Sequence, residues 1–351
     1  MKILFSVPSD SAFEPAAGTY LGHTLFCTPR SSDWGKRGWS KRVCHLREAL
    51  RIARSARHFD ALILCAAGIE AFLLARLRPW FFPRTRLVIA DFLIPKPSLW
   101  LRFVAPWLRL ADTFLCIRSG DERTLAKRFG VNPHQCRFAH FPAREVPHAS
   151  QSPPIPEQPY VYSAGFAHRD WSTLIQALRK TGLPAILSPG FSFVPPPDLP
   201  THIRILPPQP PEIGRTYLLH AALAVFSMEP TELPSGPLVL LDAMMLSKPI
   251  VATSVNGTRD YLHHDEDALL VPPRDADALA AALLRVWNDP TLGNRLGSNA
   301  RTNASHHFTH ARYLQFLLQA CVNPPRQTDP APLNARSLPS PAEASECRRR
   351  S

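Results

Sequence analysis

Two periodicities alternate along the chain. Short apolar runs at 2–7, 25–28, 61–66, 86–93, 113–117 and 136–141 read as buried strands. Between them, segments with apolar residues at three- and four-residue spacing predict helices over 40–57, 69–77, 99–110 and 120–129. The second half repeats the scheme, with strands at 160–163, 185–188, 203–206, 222–227, 249–253 and 268–271. Its helices are predicted at 171–180, 212–220, 238–246, 276–288, 290–305 and 310–321. Strand–helix alternation of this kind implies parallel sheets with helices on both faces.

The length of 351 residues is too great for one ordinary domain. The expected α/β architecture is therefore two doubly wound, Rossmann-like domains facing a cleft. Proline-rich 152–159 marks the join between an N-terminal domain at 1–150 and a C-terminal domain at 151–322. Residues 323–351, rich in Pro, Ser, Ala and Arg and without a periodic apolar face, read as a disordered tail. Ligands of such folds sit outside the carboxyl ends of the strands.

Charge changes this picture. Residues 1–150 hold 23 basic and 11 acidic side chains, whereas the remainder is balanced at 17 and 17. The whole excess of +12 thus lies on the first half, which is expected to meet something anionic. In 96–112, Trp100, Phe103, Val104, Trp107 and Leu108 share a helical stripe, with Lys96, Arg102 and Arg109 interleaved. That stripe either packs on the sheet or lies on an anionic membrane surface. No apolar run reaches the length of a bilayer span, and the first residues read as a strand rather than a leader, so a cytoplasmic protein, peripheral on the inner face of the membrane, is expected. Seven cysteines without a C-x-x-C read as buried free thiols. The histidines show no metal-ligand spacing, and no nucleic-acid-binding motif supports the basic half as a DNA or RNA reader.

The most informative stretch is 228–271. Ser235-Gly236-Pro237 precedes an apolar helix, where free N–H groups and the helix dipole suit a phosphate. Asp242 follows two turns on, at a position able to accept hydrogen bonds from ribose hydroxyls. The other reading is an ordinary cap and an exposed acid. Leu240-Leu241-Asp242-Ala243-Met244, Lys248-Pro249-Ile250-Val251-Ala252-Thr253, Gly257 and Leu269-Leu270-Val271-Pro272-Pro273 with Asp275 follow in order. This order resembles the C-terminal domain of family-4 retaining glycosyltransferases of the GT-B fold, over about 220–305. A weaker similarity covers 160–178.

The resemblance implies transfer of a sugar from a nucleotide-sugar donor to a glycan, lipid-linked or small-molecule acceptor, with retention and without a metal or other cofactor. By position, Arg169 is the basic residue that contacts the donor diphosphate; the alternative is a surface Arg paired with Asp170. Gly165 opens the loop beneath the phosphates, Ser235 and Gly236 donate to them, and Asp242 holds the ribose. Where the family has its first acid stands Pro234, so Glu232 is the candidate for contacting the donor sugar. On the acceptor side, Asp91 and His140 end apolar strands and are candidates for orienting or deprotonating a hydroxyl. A nucleotide-sugar epimerase, or a degenerate member acting as a scaffold, are the alternatives.

Overall fold

A computed structural model describes residues 1–8, 17–30, 38–66, 68–95, 99–144, 153–190, 192–207, 209–231 and 237–322. The first unit is built from β1 (Lys2–Pro8), β2 (Gly18–Tyr20), β3 (His23–Arg30), α1 (Gly38–Ala56), β4 (Ala61–Cys65), α2 (Ile69–Phe81), β5 (Arg86–Ala90), α3 (Leu99–Val104), β6 (Thr113–Cys116), α4 (Asp121–Phe129) and β7 (Cys136–Phe138). Its sheet runs β2-β3-β1-β4-β5-β6-β7 and is parallel except for the short β2. β4 and β5, covered on both faces, are apolar at nearly every position, as a buried parallel sheet requires.

The second unit contains β8 (Val161–Gly165), α5 (Trp171–Thr181), β9 (Ala185–Pro189), β10 (Ile203–Ile205), α6 (Pro211–His220), β11 (Leu223–Phe226), α7 (Leu238–Met245), β12 (Ile250–Thr253), α8 (Asn256–Arg259), β13 (Leu269–Val271), α9 (Ala276–Asn288), α10 (Pro290–His307) and α11 (His310–Val322). The strand order β10-β9-β8-β11-β12-β13 is that of a doubly wound sheet. The order reverses between β8 and β11, which opens a crevice at their carboxyl ends.

The strands and helices lie where the apolar pattern placed them, to within a few residues. One expected helix divides: 99–110 is α-helical only to Val104 and continues as a 3-10 helix over Ala105–Leu110 with Pro106 in its first turn. The buried stripe is also shifted by one position. Leu101, Val104, Ala105 and Leu108 face the core, while Trp100 and Phe103 stand exposed. The expectation of uniformly buried thiols needs a similar correction. Cys65, Cys116 and Cys321 are buried, but Cys27, Cys44 and Cys136 are only partly so: Cys136 is on the edge strand β7, Cys27 is on β3 beyond its pairing with the short β2, and Cys44 is on the outer helix α1.

α11 packs against β5 and β6, so the last described helix belongs spatially to the first sheet. Arg86 Nη1 donates to the carbonyls of Cys321 and Val322 at 3.1 Å, and Tyr313 packs 5.6 Å from Phe141. One apolar cluster runs continuously from Ile3 and Phe5 through Phe141, Phe308 and Tyr313 to Tyr217 and Met244. The two units are therefore joined by packing as well as by the connecting chain.

Candidate active site

The segments just past β8 and β11, at the point where the strand order reverses, are paired through their main chains. Glu229 N–H donates to the His168 carbonyl and Asp170 N–H to the Ser227 carbonyl, both at 2.9 Å. The segment after β8 is thereby zipped to the segment after β11, and Arg169 is held opposite Met228.

Arg169 Nε donates to the Ala164 carbonyl at 3.0 Å, Nη1 contacts the Met228 sulfur, and Cζ lies 5.7 Å from the centre of the Phe226 ring. Among the described residues no carboxylate pairs with it. Asp170, the partner in the surface reading, instead caps α5 by accepting from Thr173 N–H at 3.0 Å and Thr173 Oγ1 at 2.6 Å. Burial without a counter-charge lowers the guanidinium pKa to about 10. It remains protonated at neutral pH, as a cation awaiting an anion.

Gly165 ends β8 with φ of +137°, and the guanidinium occupies the space where a Cβ would stand. Only glycine permits both that backbone and that side-chain seat. Past β11, α7 begins at Leu238 after Pro237, whose side chain makes no cap hydrogen bond. Glu232, Pro234, Ser235 and Gly236 lie outside the described residues.

Asp242 is on α7 but is not solvent-exposed; its relative exposure is 3%. Its carboxylate accepts from Arg144 Nε at 3.2 Å and Nη2 at 3.1 Å, and from Arg215 Nε at 3.2 Å. Arg144 belongs to the segment connecting the units, and Arg215 is a buried residue of α6. These partners escaped the sequence reading. For Arg215 a signal existed, since it lies on the same apolar face as Leu218. For Arg144 there was none.

Asp91 and His140 both lie where the two units meet. Asp91, just past β5, is held at φ of +51° by its N–H bond to the Leu115 carbonyl at 3.1 Å. Burial, reinforced by the charge of Asp121 and opposed by Arg118, raises its pKa to about 6. Arg118 and Asp121 form a buried ion pair beside it. Across the junction Ser119 N–H donates to Asp260 Oδ2 at 2.8 Å. Burial lifts Asp260 to about 6, against the opposing bond from Ser119. His140 Nε2 lies 2.8 Å from the Asp260 carbonyl, and its ring packs 4.7 Å from those of Phe138 and Phe308. Burial lowers its pKa to about 4, so the ring is neutral and donates Nε2–H. Tyr261 completes the seam by accepting from Phe141 N–H and donating to the Ile117 carbonyl, each at 2.9 Å. The structure thus gathers Gly165 and Arg169 at one crevice and places Asp91 and His140 along the interunit seam. Among the described residues, no group of three or more His, Cys, Asp or Glu side chains is placed to share a metal ion.

The sequence model of the family described as "Glycosyl transferases group 1" matches residues 198–289. An exopolysaccharide phosphotransferase of Streptomyces coelicolor is 40% identical over 70 residues, 20% of this chain and 7% of that protein. O-antigen chain mannosyltransferase C of Escherichia coli is 26% identical over 87 residues, 24% of this chain and 22% of the relative. Both matches therefore span less than a quarter of the relatives' own lengths. Among solved structures, Anabaena HepE in complex with UDP superposes with a TM-score of 0.63 at 16% identity, covering 91% of this chain and 99% of the other. The apo form of the lipopolysaccharide outer core galactosyltransferase WaaB does so with 0.61 at 15%, covering 91% and 99%. The fold is that of the GT-B glycosyltransferases, and 198–289 is similar to the group 1 glycosyltransferase model.

Proposed function

We propose that the chain is a glycosyltransferase that takes its donor, a nucleoside-diphosphate sugar, in the crevice between β8 and β11. The observation that carries this reading is Arg169: a guanidinium buried with no carboxylate partner among the described residues, held at the topological switch point beside a glycine. A diphosphate supplies the missing negative charge, and Arg169 then stabilises the charge that builds on the leaving phosphate as the sugar departs. In this reading the N–H groups of the first turn of α7 add further donors to the diphosphate. Ser235 and Gly236 add donors in the loop before α7, and Glu232 reaches the sugar.

Retention at the anomeric carbon follows the family resemblance, with the departing phosphate accepting the acceptor's proton on the same face. No metal enters this scheme, because a cation and helix N–H groups face the diphosphate. The acceptor, a glycan or lipid-linked sugar, enters from the first unit. Of the two acceptor-side candidates, Asp91 suits proton transfer better. Its pKa of about 6 is close to neutral, whereas His140 is already bonded to the Asp260 carbonyl and resists protonation.

Asp242 would hold the donor ribose only if the carboxylate still has capacity beside Arg144 and Arg215. That occupancy favours the second reading, a GT-B protein that binds a partner and has lost turnover. The deciding experiment is the melting temperature of the protein with UDP, GDP, ADP, CDP and dTDP and with the corresponding sugars. A shift with one nucleotide, lost in Arg169→Ala, supports the transferase. No shift from any of them, in folded protein, removes the donor site and leaves the scaffold reading.

A further inference from the structure

The first unit carries an aromatic surface that its own core covers only in part, Trp107 packing against it while Trp80, Trp100 and Phe103 stand exposed. Leu101, Val104, Ala105 and Leu108 already pack on the sheet. One position round the same helix, Trp100 and Phe103 point outward, with Phe103 78% exposed. Trp100 meets Phe72 of α2 at 6.2 Å between ring centres. One and two turns along α2 from Phe72 stand Arg76 and Trp80. Arg76 lies 3.9 Å over the Trp80 ring and 5.9 Å from that of Trp107. Trp100, Phe103, Trp107, Arg76 and Trp80 thus form one row across two neighbouring helices, and Trp80 is 62% exposed.

Charge says what covers this row. Over residues 71–110 the sequence has seven basic side chains and one acid, Asp91, which lies at the interunit seam instead. Arg78 is taken up by Asp112 and Arg86 by the end of α11, but Arg84, Arg102 and Arg109 are exposed, Arg102 lying between Trp100 and Phe103 on the same helix. Exposed Trp and Phe ringed by Arg, with almost no acid, matches the headgroup layer of an anionic bilayer. A water-soluble protein partner of ordinary composition has no need for so one-sided a charge.

We propose that the α2–α3 face is a membrane-docking surface that seats the first unit on anionic phospholipid, Trp80, Trp100 and Phe103 entering the interface and the arginines pairing with lipid phosphates. The geometry gives this seat a purpose. Trp100 lies at the start of α3, hence at the carboxyl end of the sheet, where Ser119 and Ile117 meet the second unit. The row therefore runs up to the mouth of the cleft, which would open beside the lipid headgroups. This docking does not depend on the identity of the donor or on turnover.

The test is flotation of the full chain with phosphatidylcholine vesicles, alone or with about 30 mol% phosphatidylglycerol, at about 0.1 M and about 0.5 M salt. Wild type should bind the anionic vesicles at least tenfold more than the neutral ones and lose most of that binding at high salt. Phe103→Glu and Arg102→Glu, both at exposed positions, should each reduce binding severalfold, and together by more than tenfold. Both should keep the wild-type melting temperature and any nucleotide-induced shift. Equal binding to neutral and anionic vesicles, no binding, or binding untouched by the double variant would overturn the proposal. So would a concentration-dependent dimer that Phe103→Glu dissolves, which would give the face to a second copy of the chain. Loss of the nucleotide response in wild type, with vesicle binding intact, would count against the transferase alone.

Discussion

The guanidinium of Arg169 occupies the space that a side chain on Gly165 would need: a Cβ there would stand 2.7 Å from Cζ. The two residues are four apart, yet they form one device. The positive φ of Gly165 turns the chain at the end of β8, and the resulting gap is filled by the cation. Gly165→Ala must expel Arg169 from its seat and also strain the backbone. We expect at least a tenfold loss of nucleotide affinity by calorimetric titration, with about 1–2 kcal/mol of stability lost. Wild-type affinity in this variant would break the link between the glycine and the donor site.

Arg169 itself should not be replaceable by lysine. Its Nε bond to the Ala164 carbonyl fixes the plane of the guanidinium, and Nη1 is turned to Met228. A lysine keeps the charge but cannot make both contacts from one rigid fork. Arg169→Lys should therefore lose most of what Arg169→Ala loses, about 10²–10³-fold in turnover with the matched donor. Near-wild-type turnover in the lysine variant would mean that only the field of the charge matters.

Asp242 makes a separate prediction because it has two guanidinium partners of unequal burial. The Arg215 side chain is 8% exposed and that of Arg144 is 24%. Asp242→Ala leaves the buried Arg215 uncompensated and should cost about 3–5 kcal/mol in denaturant unfolding. Arg144→Ala should cost less, since its partner keeps Arg215 and water can enter. If Asp242 also binds ribose, Asp242→Asn should weaken nucleotide binding as well as stability, since it too leaves Arg215 without a counter-charge. Equal stability losses from Asp242→Ala and Arg144→Ala would contradict this ranking.

These residues differ in how visible they were beforehand. The alternation of apolar runs reveals the two sheets because each strand must be buried on both faces and each helix on one. It cannot say which sheet a helix covers, so α11 read as part of the second unit although it lies on β5 and β6. The three residues of β2 are too few to carry a period. Gly165 and Arg169 were named only through the family resemblance over 160–178; their contact is local, but the apolar pattern alone does not announce it. The Asp242–Arg144 pair was not legible, since its partners are 98 residues apart and meet only after both units have folded. The same holds for the seam from Ser119 to Asp260, 141 residues apart.

That seam gives the pH dependence. Asp91 and Asp260, ordinarily near 3.8, sit near 6 in the folded chain because burial disfavours their charged forms. Between about pH 7 and pH 4 the folded chain therefore holds protons that the unfolded chain has released, and acidification favours folding. His140 opposes this. Its pKa falls from 6.5 to about 4, so the unfolded chain takes up a proton first and acidification favours unfolding. Each group contributes about 1–2 kcal/mol between about pH 7.5 and pH 5, so the two acids together outweigh the one histidine and the seam gains a little stability on acidification. Single variants should uncover the two halves. Relative to wild type, Asp260→Asn should lose stability on acidification to about pH 5, because one group that gains a proton on folding is gone. His140→Gln, which can still donate to the Asp260 carbonyl, should gain stability over the same range. The measurement is urea unfolding at several pH values for the three proteins. Parallel curves for wild type and both variants would show that neither group titrates in this window, and that the seam is held by packing around Tyr261 and Phe308 rather than by the charge state of its acids.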